Sequence, residues 1–144
     1  MPLIFLIILS LWVIYEDFRT QTIPDFVHIY LIGFAIFYII IGQWIDIKTV
    51  CIGLLLGGGL MFLVALCGPT GGGDIKLMGA LGTWFGTQII EVFLLSFIIG
   101  LAITIPYLIK NKNLKQKIPF GPAIVISALI LWISNESLFQ LFAF

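Results

Sequence analysis

The chain has 144 residues, of which 61% are hydrophobic and 10% charged, whereas soluble domains are about 45–50% apolar. This composition excludes an ordinary water-soluble domain and predicts a chain whose solvent is the lipid bilayer. Lys plus Arg number seven, as do Asp plus Glu, and this balance favours neither a nucleic-acid-binding surface nor an acidic tail.

Six apolar runs follow one another along the chain, at residues 2–15, 26–44, 50–67, 75–85, 89–109 and 120–133. A spanning helix needs about 20 residues, so the length allows about six transmembrane helices and no separate soluble domain. We therefore predict an all-α, polytopic membrane protein with one domain over residues 1–144. The first run is short, and its helix is expected to continue through Asp17 towards Arg19, which puts Asp17 at the membrane boundary.

The fourth run is also short and rich in glycine, which indicates tight packing against neighbouring helices or a helix that only partly crosses the bilayer. A helix from Asp74 to Ile90 would be about 25 Å long, just enough for a thin or sheltered crossing. Close packing is also expected from two G-x-x-x-G motifs, Gly53 to Gly57 and Gly82 to Gly86. We interpret both motifs as contacts within one chain rather than as a dimer interface.

Basic residues predict the orientation, because cytoplasmic loops carry the excess of Lys and Arg. If all six runs cross, Lys48 lies on one side, and the opposite side holds Arg19, Lys76, Lys110, Lys112, Lys115 and Lys117. Both termini are then outside, and the connections 16–25, 68–76 and 110–119 are cytoplasmic. Asp17 and Asp74 are therefore expected on the cytoplasmic side.

Few residues are suited to binding a metal ion. Cys51 and Cys67 lie within or beside apolar runs, there is no CxxC pair, and His28 is the only histidine. We predict two buried structural thiols, no metal site and no cofactor. His28 is expected to have an interfacial or packing role.

The acidic residues are the candidates for chemistry, because ionisable groups near a membrane are costly to hold there. A solvated or interfacial position explains three of them without a chemical role: Asp46, Glu91 and Glu136. Asp25 follows Pro24 at a helix start, where an acid suits the helix dipole. Glu16 lies about 100° around the helix from Asp17, so both cannot face one cleft. Asp17 and Asp74 remain.

Each of these two acids also has a simpler interpretation. Asp17 can be a boundary carboxylate balanced by Arg19. Asp74 follows three glycines, which permit positive φ angles and close approach of another backbone, and it can be an N-cap in a flexible loop. Together they suggest peptide hydrolysis, because two close carboxylates that share one proton supply both the base and the acid that the reaction needs.

At this point the sequence resembles a known family, the type IV prepilin peptidases. Their first motif, an aspartate six positions before Ile or Leu and then Pro, is matched by Asp17-Phe-Arg-Thr-Gln-Thr-Ile23-Pro24. Their second, G-x-G-D followed by x-K, is matched by Gly71-Gly72-Gly73-Asp74-Ile75-Lys76. The segment Ile118-Pro119-Phe120-Gly121-Pro122 is similar to the P-F-G-P stretch before the family's last span.

The resemblance implies that Asp17 and Asp74 are catalytic aspartates, and that Gly71 and Gly73 shape the approach to Asp74 at a site near Pro24. Lys76 either anchors at lipid head groups or acts near this site. The implied substrate is a prepilin-like or preflagellin-like protein, whose short basic leader is cut off on the cytoplasmic side just before its hydrophobic helix. The sequence lacks the paired CxxC motifs of many bacterial members, so we expect peptidase activity without N-methylation.

Three other classes of membrane protein share some of these sequence features. The presenilin-like peptidases also use G-x-G-D, but their Tyr-Asp motif is absent because Glu16 separates Tyr15 from Asp17. In a small carrier the two acids would be coupling carboxylates, but six short spans without a clear inverted repeat make a poor transporter. In a non-catalytic membrane scaffold the two acids would be incidental.

Overall fold

A computed structural model of the chain describes residues 3–41, 46–68, 71–111 and 120–134. Within these ranges the chain is helical, which confirms the all-α prediction, and its six α-helices follow the apolar runs in order: α1 Leu3–Thr20, α2 Asp25–Ile40, α3 Ile47–Cys67, α4 Gly72–Phe85, α5 Ile89–Asn111 and α6 Gly121–Ser134. Some residues discussed from the sequence lie outside the described ranges: Lys112, Lys115, Lys117, Ile118, Pro119 and Glu136.

Among the residues that the structure describes, two stretches are long and apolar enough to cross a membrane by length and composition, Ile47–Cys67 and Gly72–Pro106. The second contains α4 and most of α5, while α2 and α6 are shorter apolar helices. Several helices expose large apolar side chains on their outer surface, for example those of Ile4, Ile40 and Leu55. The number of helices that cross the bilayer stays a prediction.

Helix α4 forms the centre of the helix bundle. Every residue from Leu77 to Phe85 is buried, and α4 packs against α2, α3, α5 and α6. The helix does not run on to Ile90 as the sequence suggested. It ends at Phe85 because Gly86 adopts a φ of 57°, a conformation that favours glycine, and a single 3₁₀ turn then leads into α5.

The two G-x-x-x-G motifs meet in the contact between α3 and α4, which we call the glycine seam and define by Gly53, Gly57 and Gly82. A Cβ atom added to Gly53 would overlap the carbonyl group of Gly82, and one added to Gly82 would overlap that of Gly53. A Cβ at Gly57 would overlap the carbonyl oxygen of Met78. The prediction of packing within one chain is therefore confirmed for these helices.

The expectation of buried thiols is wrong, because Cys51 and Cys67 are both exposed. Cys51 lies about 160° around α3 from Gly53, so it faces away from α4. Cys67 is the last residue of α3. Glu91 also differs from the expectation of a solvated or interfacial position, since it is 5% exposed in the first turn of α5, where the helix dipole suits an acid.

Candidate active site

Asp17 lies in the last turn of α1, and its surroundings follow from how that helix ends. Gln21 adopts a φ of 53°, and its backbone N–H donates to the carbonyl oxygen of Asp17 at 3.0 Å, a common way to end a helix. The Asp17 side chain is only 4% exposed. Its Oδ2 atom accepts a hydrogen bond of 3.0 Å from the backbone N–H of Gly121.

Gly121 is the first residue of α6, so the Asp17 carboxylate occupies the positive end of that helix. A Cβ atom at Gly121 would lie 2.7 Å from Asp17 Oδ2 and 3.2 Å from Ile23 Cδ1, so this position requires glycine. The sequence interpretation did not include Gly121 among the site residues. The sequence signal for Gly121 is the Phe120-Gly121-Pro122 stretch, which is part of the segment similar to P-F-G-P.

Replacing Gly121 by alanine tests this contact. The added methyl group must push the Asp17 carboxylate or the start of α6 aside, and a displacement of about 1 Å can lower a rate about a hundredfold. We expect kcat for the peptide cleavage that the resemblance implies to fall by about a hundredfold, as measured with purified protein. Gly33→Ala is the control, because a Cβ there meets no atom of the described residues within 4 Å. Equal rates for the two variants would show that Gly121 does not position Asp17.

Asp74 lies in the first turn of α4, next to the glycines that precede it. Gly71 is the N-cap of this helix, and its carbonyl oxygen accepts the backbone N–H of Asp74 at 3.1 Å. A Cβ at Gly71 would lie 3.3 Å from Asp74 Oδ2. Gly72 and Gly73 belong to the helix itself, and Gly86 is the only described glycine with positive φ. Gly71 and Gly73 therefore act through the space they leave, not through unusual φ angles.

Ile23 connects the surroundings of the two aspartates. It is 8% exposed, and its side chain lies against both Gly121 and Gly73, the residue before Asp74. A Cβ at Gly73 would be 3.2 Å from Ile23 Cβ. Asp17 and Asp74, 57 positions apart in the sequence, lie close enough to interact electrostatically. The structure thus brings the two acids to the same end of the bundle.

An ion pair joins α2 to α4 beside Asp74. The Lys76 ammonium donates a hydrogen bond of 2.7 Å to Asp25 Oδ1, and both side chains are largely exposed. Asp25 comes directly after Pro24, the N-cap of α2, and precedes the apolar run 26–44. The hydrogen bond from Lys76, and then its charge, hold the pKa of Asp25 below the ordinary value. Pro24 and Lys76 therefore lie beside the aspartates, with Lys76 engaged in this pair.

This ion pair predicts a pH-dependent contribution to stability. A carboxyl group whose pKa is lowered on folding stabilises the protein above its ordinary pKa of 3.8, and the contribution is lost as the pH falls through the lower, folded value. We expect Lys76→Met to unfold at a lower temperature than the unsubstituted protein at about pH 7, with the difference shrinking as the pH falls below 3.8 and through the lowered pKa of Asp25. Lys48→Met, at the start of α3, is the control. A difference for Lys76→Met that is independent of pH would contradict the assignment.

Two carboxylates at one end of a helix bundle, one of them buried and held by a backbone amide, can serve as the acid and base of a hydrolytic reaction. Among the described residues, no group of three or more His, Cys, Asp or Glu side chains is arranged to hold a metal ion. The two aspartate side chains can themselves accept and donate the protons that such a reaction moves.

Comparison with protein-family models matches residues 4–105 to the type IV leader peptidase family, which is more than half of the 144 residues. The chain belongs to the type IV leader peptidase family. Both aspartates lie within the region matched to the leader peptidases, whereas Gly121 lies beyond it. Its apolar helices and its family make this leader peptidase homologue a membrane protein.

Curated relatives of this leader peptidase homologue include three proteins named prepilin leader peptidase/N-methyltransferase. That of Neisseria gonorrhoeae is 29% identical over 132 residues, covering 86% of this chain and 45% of the relative. That of Escherichia coli (strain K12) is 31% identical over 148 residues, covering 92% and 64%. That of Legionella pneumophila is 38% identical over 81 residues, covering 55% and 28%. The chain spans about half the length of the Neisseria gonorrhoeae relative and less than two thirds of that of Escherichia coli. No solved structure matches it.

Proposed function

We propose that this protein is a membrane aspartyl endopeptidase that removes the leader of prepilin-like or preflagellin-like proteins. The observation that carries the proposal is the Asp17 carboxylate, which is buried and hydrogen-bonded to Gly121 N–H within electrostatic reach of Asp74. Membership of the leader peptidase family supports it. Peptidase activity alone is proposed.

In the proposed mechanism the two carboxyl groups share one proton and hold a water molecule between them. The ionised group takes a proton from the water as its oxygen attacks the carbonyl carbon of the scissile bond. The protonated group then gives its proton to the leaving nitrogen as the carbon–nitrogen bond breaks, which yields a new carboxyl group and a new amine. Gly121 keeps the Asp17 carboxylate in position, Gly71 leaves room for the peptide beside Asp74, and Gly73 leaves room for the Ile23 side chain between the two aspartates.

The proposed membrane topology has six spanning helices with Asp17 and Asp74 at the cytoplasmic surface. The distribution of basic residues along the sequence supports this orientation. The central position of α4 also supports a full crossing, because a helix surrounded by other helices tolerates a shorter apolar length. The partners are then the lipid bilayer and a protein substrate, with no nucleic acid.

Cleavage by membrane vesicles of known orientation tests both activity and sidedness. A prepilin-type protein with its leader is added to inverted and to right-side-out vesicles that contain the full chain. The masses of the cleavage products are then measured by mass spectrometry. We expect a single cut that removes the leader in inverted vesicles only. Cleavage in right-side-out vesicles would overturn the orientation, while no cleavage in detergent or vesicles would favour a carrier or a scaffold.

A further inference from the structure

A cavity of about 560 Å³ lies between α2, α3 and α4, beside the candidate active site. Ile75 and Lys76, which follow Asp74 directly, line it from α4, and Gly58, Gly59 and Phe62 line it from α3. Its volume falls in the range of about 300–1,000 Å³ that is usual for ligand sites. Phe62 is 53% exposed, so the cavity opens towards the outer surface of the bundle.

His28 lines the same cavity from α2 and is 5% exposed. Neither of its ring nitrogens makes a hydrogen bond with any described residue. The Asp25 carboxylate oxygen is 3.7 Å from Nδ1, too far for a good hydrogen bond. The backbone of Gly73 also approaches the imidazole, but not with the geometry of a hydrogen bond. A buried polar group without a hydrogen-bond partner costs free energy. A ligand with a hydrogen-bonding group would therefore be stabilised by binding next to His28.

Glycines line the α3 side of the cavity, which sets what can approach. A Cβ at Gly59 would meet no described atom within 4 Å, and one at Gly58 would be only in ordinary contact with α4. A surface of this kind allows the backbone of another helix to come close, as α4 already does at the neighbouring glycine seam. An acyl chain would fill such a space but has no group for the His28 nitrogens.

The first turn of a helix carries backbone N–H groups without partners in the helix, and where a cavity excludes water such groups need another hydrogen-bond acceptor. A neutral imidazole offers one donor and one acceptor, so His28 can accept one of these N–H groups. We propose that this cavity binds the apolar helix that follows the cleaved bond of the substrate, with His28 hydrogen-bonded to the backbone of its first turn. The inference rests on the proposed peptidase function, since it places the start of that helix next to Asp74.

Steady-state cleavage of a prepilin-type protein by the purified full chain tests the proposal. Gly59→Leu fills the cavity, and leucine favours a helix more than glycine does. We expect its KM to rise about tenfold or more, the effect of losing about 1.4 kcal/mol of binding, with kcat changed less than twofold. Gly33→Leu, on the part of α2 outside the cavity, is the matched control and is expected to leave KM unchanged.

Replacing His28 separates hydrogen bonding from shape. His28→Phe is expected to raise KM about tenfold, as the loss of one hydrogen bond allows, while His28→Gln, which keeps a donor and an acceptor, is expected to restore most of the affinity.

Equal KM values for Gly59→Leu and Gly33→Leu would overturn the subsite while leaving the peptidase function intact. A phospholipid retained by the unsubstituted protein and lost from Gly59→Leu, with KM unchanged, would assign the cavity to lipid. No cleavage by the unsubstituted protein would overturn the peptidase function and the subsite together.

Discussion

Replacing either Asp17 or Asp74 by asparagine is expected to lower leader cleavage by about a thousandfold or more, because loss of a general acid or base costs about 10²–10⁴ in rate and each variant loses half of a pair that acts as a unit. Asparagine has nearly the same shape as aspartate but cannot take up or release the proton. The measurement is the initial rate of cleavage of a prepilin-type protein by purified variants in detergent.

The asparagine variants are expected to keep the fold, so a loss of activity reports the loss of the acid or base and not unfolding of the protein. The side-chain oxygen of asparagine at position 17 can still accept the Gly121 N–H, so Asp17→Asn is expected to unfold within a few degrees of the unsubstituted protein. Glu16→Gln is the control, because it removes the same charge one position away. Substantial cleavage by either aspartate variant would exclude the paired mechanism, and an inactive Glu16→Gln would show that general charge loss, not the pair, explains the effect.

Replacing Gly53 by alanine is expected to destabilise the protein by about 3 kcal/mol or more, at the upper end of the usual cost of overpacking. The added Cβ atom would meet the backbone carbonyl group of Gly82, and backbone cannot turn aside as a flexible side chain can. Helices α3 and α4 must therefore separate, which disturbs the central helix that carries Asp74. The measurement is thermal unfolding in detergent, together with the fraction of protein that elutes as a single species.

Gly59→Ala is the matched control, since it makes the same chemical change six positions later in the same helix. A Cβ there meets no described atom within 4 Å, and alanine favours a helix more than glycine by about 1 kcal/mol. We expect this variant to be as stable as the unsubstituted protein or slightly more so. Equal unfolding temperatures for Gly53→Ala and Gly59→Ala would show that α3 and α4 do not approach closely at the glycine seam.

The sequence by itself determined the class of fold and the identity of the two candidate acids. Long apolar runs can satisfy their backbone groups in a bilayer only as helices or closed barrels, and runs of this length favour helices, so the order of α1 to α6 was predictable. Asp17 and Asp74 could be selected because few acids lie at the ends of such runs and each belongs to a spaced motif. Close packing at the two G-x-x-x-G motifs was also predictable, although the motifs did not indicate that α3 and α4 pack against each other.

Only the tertiary structure decided which residues surround those acids. Gly121 lies 104 positions from Asp17, and Lys76 lies 51 positions from Asp25, so neither contact follows from local spacing. The exposure of Cys51 was mispredicted for the same reason. A membrane helix is apolar on every side, so its sequence does not mark which face meets another helix and which meets lipid. That choice is made when the helices pack together with α4 at the centre, and it brings Asp17 and Asp74 to one end of the bundle.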